Sequence, residues 1–166
     1  MKENERNLQF YTVDVKYADY LRNFDAKVPF IEYPKHNKFF VGVVIQIGEI
    51  KYFAPVSSYK KKSKSVFNII NNDKIISSVR FNFMFPVIDD TYHLIDINSE
   101  FSDKYRDFVQ YEYQYCNSHR GEIRRLANTA YYKRCRAKNS EEKKFLDQIC
   151  INFKLLEKKC TFYKKT

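Results

Sequence analysis

Between Tyr52 and Lys64 the chain reads YFAPVSSYKKKSK, an apolar run that delivers two hydroxyls, Ser57 and Ser58, to the lysines Lys60, Lys61, Lys62 and Lys64. Proline has no amide hydrogen, so Pro55 marks where a strand should stop pairing. Backbone amides freed beyond it, the two hydroxyls and an ammonium group at Lys60 or Lys61 make a cradle for a phosphate. The same set would stabilise the crowded, more negative phosphorane that forms as a nucleic-acid strand breaks. The plain alternative is a solvated turn, with serines capping backbone groups and lysines facing water. These residues alone leave both readings open.

Other chemistries find less support. His36, His93 and His119 are scattered, and Cys116, Cys135, Cys150 and Cys160 form no CxxC or CxxH pair. Neither a metal site nor a cofactor is expected. HxT or HxS pairs, acidic metal clusters and a Cys–His nucleophile are all missing, which disfavours other phosphodiesterase types. No histidine stands near the serines, and lysine is a poor base unless desolvated. The formal net charge is +10; residues 101–166 hold 16 basic and 8 acidic residues, and residues 51–64 hold five lysines and no acid. Such an excess draws polyanions, because phosphate binding releases condensed counterions.

These groups need a scaffold, and 166 residues with 44% hydrophobic and 17% aromatic content suffice for one packed domain spanning 1–166. No apolar run approaches the roughly 20 residues that cross a bilayer. The charged start, MKENERNLQF, lacks the apolar stretch of a signal peptide, so a cytoplasmic protein is expected. LQFYTV (8–13) reads as a strand, followed by a helix capped by Asp14 and running to Phe24. Residues 30–38 read as a loop, and 39–47 and 50–56 as a hairpin about Gly48-Glu49. KSVFNII (64–70) reads as a short helix, 75–87 as one or two strands ended by Pro86, and YHLIDI (92–97) as another strand. From Asp103 onward the pattern is helical. Asn139 with Glu142 resembles a capping box opening a last helix striped by Phe145, Ile149, Phe153, Leu156 and Cys160. The expected class is α+β: a mainly antiparallel sheet with packed helices, the C-terminal part helical.

The segment YFAPVSSYKK resembles the (F/L)APL(S/T)SPK-like hallmark of the ToxN/AbiQ/CptN endoribonucleases. The likeness extends to FYTVDVKYADYLRNFDAKVP (10–29), which is similar to the opening of that family, FYxxxxxYxxYLxxFDxKVP. VGVVIQIGEIKY (41–52) resembles its first hairpin, NFMFPVID (82–89) its FMIP-type strand, and CINFKLLEKKC (150–160) its final helix. Residues 103–138 match in helical character only. Tyr59 stands where the family usually has proline, Val56 replaces leucine, and the 30–38 loop is shorter than in some relatives.

The resemblance implies a compact, twisted antiparallel sheet like that of the Kid/MazF toxins. It implies a sequence-specific, metal-independent endoribonuclease toxin of a type III toxin–antitoxin system. The 2′-hydroxyl would attack the adjacent phosphate, leaving 2′,3′-cyclic phosphate and 5′-hydroxyl ends. Its inhibitor would be a small pseudoknotted RNA, cut by the toxin from a tandem-repeat precursor and closed with it into a heterotetrameric or heterohexameric ring. Kinship also suggests phage defence by abortive infection. Carried over by motif, the catalytic groups are Tyr17, Lys38, Ser57, Ser58 and Lys60. Lys38 and Lys60 offset charge or one acts as base, Ser58 holds a non-bridging oxygen or relays a proton, Ser57 orients the loop, and Tyr17 positions the leaving oxygen or stacks on a base. Lys61, Lys62, Lys64 and Lys35 would extend the phosphate contacts. Arg120, Arg124 and Arg125, on a helix from about 120, form a second candidate RNA surface. The competing class is a non-catalytic basic protein that binds RNA or DNA.

Overall fold

In the computed structural model, which describes residues 6–165, alternating buried positions build a seven-stranded antiparallel sheet. Its strands are β1 (Gln9–Val13), β2 (Phe40–Ile47), β3 (Ile50–Ser57), β4 (Val66–Asn71), β5 (Lys74–Arg80), β6 (Phe85–Val87) and β7 (Tyr92–Leu94). Six helices complete it: α1 (Val15–Arg22), α2 (Ile97–Glu100), α3 (Asp103–Ser118), α4 (Arg120–Arg136), α5 (Ser140–Ile149) and α6 (Phe153–Cys160). The strand order is β4-β5-β3-β2-β1-β7, with β6 also paired to β3. No helix of the described residues is long and apolar enough to cross a membrane.

Strand β3 organises the sheet. One edge runs beside β2, from Ile50 opposite Ile47 to Pro55 opposite Phe40. The other edge changes partner: Lys51–Phe53 pair with β6, and Val56–Ser57 pair with Val79 and Ser78 of β5. Pro55, which has no N–H to offer, lies at the change. The strand nevertheless does not stop there, contrary to the expectation from sequence. The Val56 N–H donates to the Phe39 carbonyl at 3.1 Å, and β3 continues to Ser57. The serine pair therefore begins inside the sheet and ends outside it.

Two turns fix register. Gly48, with φ of 60°, joins β2 to β3, as expected of a glycine at the first position of a two-residue hairpin turn. Asn72 (φ 51°) and Asp73 (φ 63°) join β4 to β5 in the doubly left-handed turn those residue types tolerate. The helix expected at 64–70 is thus strand β4: its Val, Phe and Ile side chains pair across to β5 rather than winding. Residues 75–87 divide into β5, a 3-10 turn at Phe81–Phe83 and β6. Only Tyr92–Leu94 of the 92–97 run forms a strand, and Asp96 caps α2 by accepting from the Asn98 amide at 3.0 Å.

Helix limits also differ. Helix α1 ends at Arg22, and Asp14 makes no capping bond; its carboxylate instead meets Lys165 at 3.3 Å and His93 at 3.2 Å. The helix expected from Asn139 onward is two. Asn139 caps α5 through the Glu141 amide, then Cys150 and Ile151 extend and Asn152 caps α6. The break rotates the stripe, so Phe145 and Ile149 are exposed, whereas Phe153, Leu156 and Cys160 are buried.

The core runs from Leu8 to Cys160 and joins both ends of the chain to the sheet. Buried tyrosines tie its layers together. Tyr52 of β3 and Tyr131 of α4 each donate at 2.6 Å to the Glu157 carboxylate of α6. Tyr111 of α3 donates to the Ile70 carbonyl of β4 at 2.5 Å, clamping that helix over the outer hairpin.

Candidate active site

The end of β3 and the segment after it carry the serine pair and the lysines singled out in the sequence. Ser57 is half-buried and Ser58 exposed. Tyr59 fastens the turn: its N–H donates to Ser57 Oγ at 3.1 Å, and its carbonyl accepts from Ser78 Oγ at 2.7 Å. A proline at this position would lack that N–H, so the tyrosine holds the loop by a bond the ring could not supply. The Tyr59 ring lies 4.1 Å from the Arg80 guanidinium, which rests at 4.4 Å on Phe83.

Lys38 enters from the other side. Its amide donates to the Ile31 carbonyl at 2.7 Å, closing the 31–38 loop just before β2. Its ammonium group lies 3.5 Å from the Val56 carbonyl and 5.3 Å from the Tyr33 ring centre. Burial, reinforced by the positive Arg80 nearby, pulls its pKa below the ordinary lysine value. A lysine of this kind loses a proton more readily than a solvated one.

Lys38, Ser57 and Ser58 line one cavity of about 670 Å³, together with Lys35, His36, Tyr105, Phe108 and Glu112. A second recess of about 390 Å³ shares Tyr33, Lys38 and Ser57 with this cavity and adds Lys27 and Arg80. Tyr33, Lys38 and Ser57 therefore stand between two openings, one mainly apolar and one carrying extra cations. Among the described residues no group of three or more His, Cys, Asp or Glu gathers as a metal would require.

The remaining expected residues are placed unequally. Lys60 is exposed on the following segment and does not line the cavity; Lys61 and Lys62 are exposed beside it. Lys64 lines a third hollow of about 610 Å³ with Tyr59, Arg80 and Lys133. Arg120 and Arg125 lie on α4, with Arg120 donating to the Asn117 carbonyl at 2.9 Å. Arg124 is engaged within the fold. It donates to the carbonyls of Val43 and Arg6, at 3.2 and 2.7 Å, binding α4 to β2 and to the amino-terminal segment.

Tyr17 needs correction. Its side chain is fully buried, and its hydroxyl donates to the Pro86 carbonyl at 2.6 Å. Burial raises its pKa well above the ordinary phenol range. It locks α1 against β6, and its hydroxyl is not presented to the cavity. The neighbouring FDAKVP segment is structural as well: Asp25 accepts from the amides of Lys27 and Asn152, at 3.0 and 2.8 Å.

Two groups escaped the sequence reading. Arg80 was visible only as a lone charge in the apolar run VRFNF. Its Nε is buried without a partner among the described residues. Glu112 lies on α3 in line with Phe108, Val109 and Cys116, an acid where the helix turns inward. It is 1% exposed, and its Oε2 accepts from Ser77 Oγ at 2.5 Å. Burial raises its acid to about 7, only partly opposed by the Ser77 bond.

Comparisons with known proteins bear on the family and the fold. A family model described as "Toxin ToxN, type III toxin-antitoxin system" matches residues 9–161. The chain is 31% identical to Endoribonuclease ToxN of Bacillus thuringiensis subsp. kurstaki over 169 residues, covering 98% of this chain and 87% of that one. It is 31% identical to Endoribonuclease AbiQ of Lactococcus lactis subsp. lactis over 172 residues, covering 95% and 90%. A solved structure concerned with selective toxin inhibition by a non-coding RNA pseudoknot in bacterial type III systems superposes with a TM-score of 0.87 at 29% identity, over 97% of this chain and all of that one.

Proposed function

The chain belongs to the ToxN toxin family of type III toxin–antitoxin systems, and from that premise we propose that it is an endoribonuclease whose cutting centre is Lys38, Ser57 and Ser58. The observation that carries this reading is the meeting of a desolvated ammonium and two hydroxyls in one cavity at the end of β3. RNA brings its own nucleophile, so the protein need only position the phosphate, move a proton and offset charge.

Ser58, exposed at the rim, donates to a non-bridging oxygen. Ser57, held by the Tyr59 amide, fixes the loop that presents Ser58. Lys38 takes the proton of the 2′-hydroxyl, its basic form made more accessible by burial. Arg80, reaching the adjoining recess, offsets the charge of the phosphorane, and Lys60 closes over the phosphate from the exposed segment. The reaction proceeds without metal: as the O2′–P bond forms, the P–O5′ bond breaks and the departing oxygen takes a proton from water, leaving a 2′,3′-cyclic phosphate and a 5′-hydroxyl. Lys35, Lys61, Lys62 and Lys64 extend the track for the RNA backbone, and Arg120 and Arg125 add a second surface for the antitoxin RNA.

By kinship with relatives named endoribonucleases and with the pseudoknot-inhibited toxin, the inhibitor is a small RNA pseudoknot. The toxin cuts it from a repeated precursor and closes with it into a ring. The lactococcal relative of solved structure, with a TM-score of 0.80 at 27% identity, is described as an anti-phage endoribonuclease, and a role in phage defence follows by the same kinship.

The test incubates pure protein with a structured RNA in excess EDTA. Fragments ending in cyclic phosphate are expected, with the rate falling by about a hundredfold or more in Ser58→Ala and in Lys38→Ala. Intact RNA that remains bound would replace the enzyme with a binding protein.

A further inference from the structure

Glu112 takes no part in the phosphate chemistry above, yet it sits in the same cavity as Ser57 and Ser58. We propose that this cavity is a base-reading subsite, in which Glu112 accepts a hydrogen bond from the exocyclic amino group of a nucleobase flanking the cut phosphate. The inference rests on the ribonuclease reading and adds to it a determinant of sequence preference.

The shape suits a base. Val56, Ile76, Tyr105 and Phe108 give the cavity apolar walls, and the His36 and Tyr105 rings stack there with centres 4.8 Å apart. Flat rings of this kind pack against a base face whatever its identity. A volume of about 670 Å³ admits a nucleoside with room to spare. Because Ser57 and Ser58 line the same space, a base seated within it brings its own phosphate to the hydroxyls.

Selection falls to the polar group at the buried end. Ser77 holds Glu112 Oε2 and so orients the carboxyl group. The other oxygen, Oε1, is buried and has no hydrogen-bond partner among the described residues. An acceptor left unmatched in apolar surroundings is costly, and such groups in native proteins usually await a partner. The amino group of adenine, cytosine or guanine supplies the missing N–H, whereas uracil has no amino group and sets carbonyl oxygens on either side of its single N–H. The ionised carboxylate makes this contact, Oε1 accepting from the base while Oε2 keeps the Ser77 bond.

The experiment maps the ends produced from a random-sequence RNA by the full-length protein. Wild-type protein should disfavour uracil at one position beside the cut by about tenfold or more, the usual scale of one base contact. In Glu112→Gln the Ser77 bond retains the amide oxygen, so the amide N–H₂ occupies the orphan position. The preference at that position should then turn toward a carbonyl-bearing base, with other positions unchanged. As a check independent of variant folding, wild-type protein receives its preferred site with the amino group deleted: purine riboside for adenosine, inosine for guanosine, or a 4-unsubstituted pyrimidinone for cytidine. Cutting there should slow by about tenfold. Unchanged cutting of these analogues overturns the proposal, as does an end profile that is the same in Glu112→Gln or uniformly weaker at all sites. No cutting by wild-type protein on any RNA would instead sink the ribonuclease reading itself.

Discussion

Single side chains divide here into those that face the cavity and those that hold it up. Tyr17 shares its residue type and helix position with the family opening, and spacing could not tell a buried hydroxyl from a presented one. Its bond to the Pro86 carbonyl decides the matter. Tyr17→Phe should lower stability by about 1–2 kcal/mol, since it orphans a buried carbonyl, and leave the cutting rate of the folded protein unchanged; denaturant titration and an RNA assay measure the two. Glu112 makes an opposite prediction. Its carboxyl ionises near 4.5 when unfolded and at about 7 when folded, because burial disfavours the charge. Its contribution to folding is therefore most favourable below pH 4.5 and is lost as pH rises to about 7. Glu112→Gln, which cannot ionise, should gain stability relative to wild type on the order of 2–3 kcal/mol at pH 8 and almost none at pH 4, in paired melts. Charges inside apolar periods gave the sequence reading no such foresight, for burial depends on which elements meet.

At the scale of elements, the hairpin β2–β3 was legible because FFVGVVIQI, a Gly-Glu turn and IKYFAPV carry strand residues and turn residues in order. The serine loop was legible for the same reason, being the polar end of that strand. The outer hairpin was not, although Asn72-Asp73 is the turn signal that should have overruled the helix reading of 64–70. The change of partner along β3 has no signature in a single segment, because β5 and β6 are distant in sequence. Close packing within the hairpin gives a prediction here. A Cβ on Gly42 would overlap Phe53 Cδ1, an aromatic carbon of a fully buried ring. Gly42→Ala should therefore destabilise by about 1–3 kcal/mol through overpacking, read as a lower midpoint in thermal unfolding.

For the molecule as a whole, composition forecast a packed basic protein and the order of strand and helix patterns an α+β fold, and the sheet with the six helices of the described residues is one. Charge also forecast a polyanion partner, but not where the cations lie, since only folding brings Lys38 into the cavity with Ser57 and leaves Lys60, Lys61 and Lys62 in solvent. Those exposed lysines should act through counterion release. Changing Lys61 and Lys62 together to glutamine should reduce the slope of log affinity against log salt by about 1.4 for single-stranded RNA, measured by fluorescence anisotropy with a Ser58→Ala protein. The shift of β3 from β6 to β5 has a consequence on this scale as well. It divides the pairing into two groups of strands, with Lys38 just before β2 of one and Ser77 and Arg80 on β5 of the other. The cavity lined by Lys38, Ser57 and Ser77 therefore draws its walls from both groups, and its shape is set by how they join along β3.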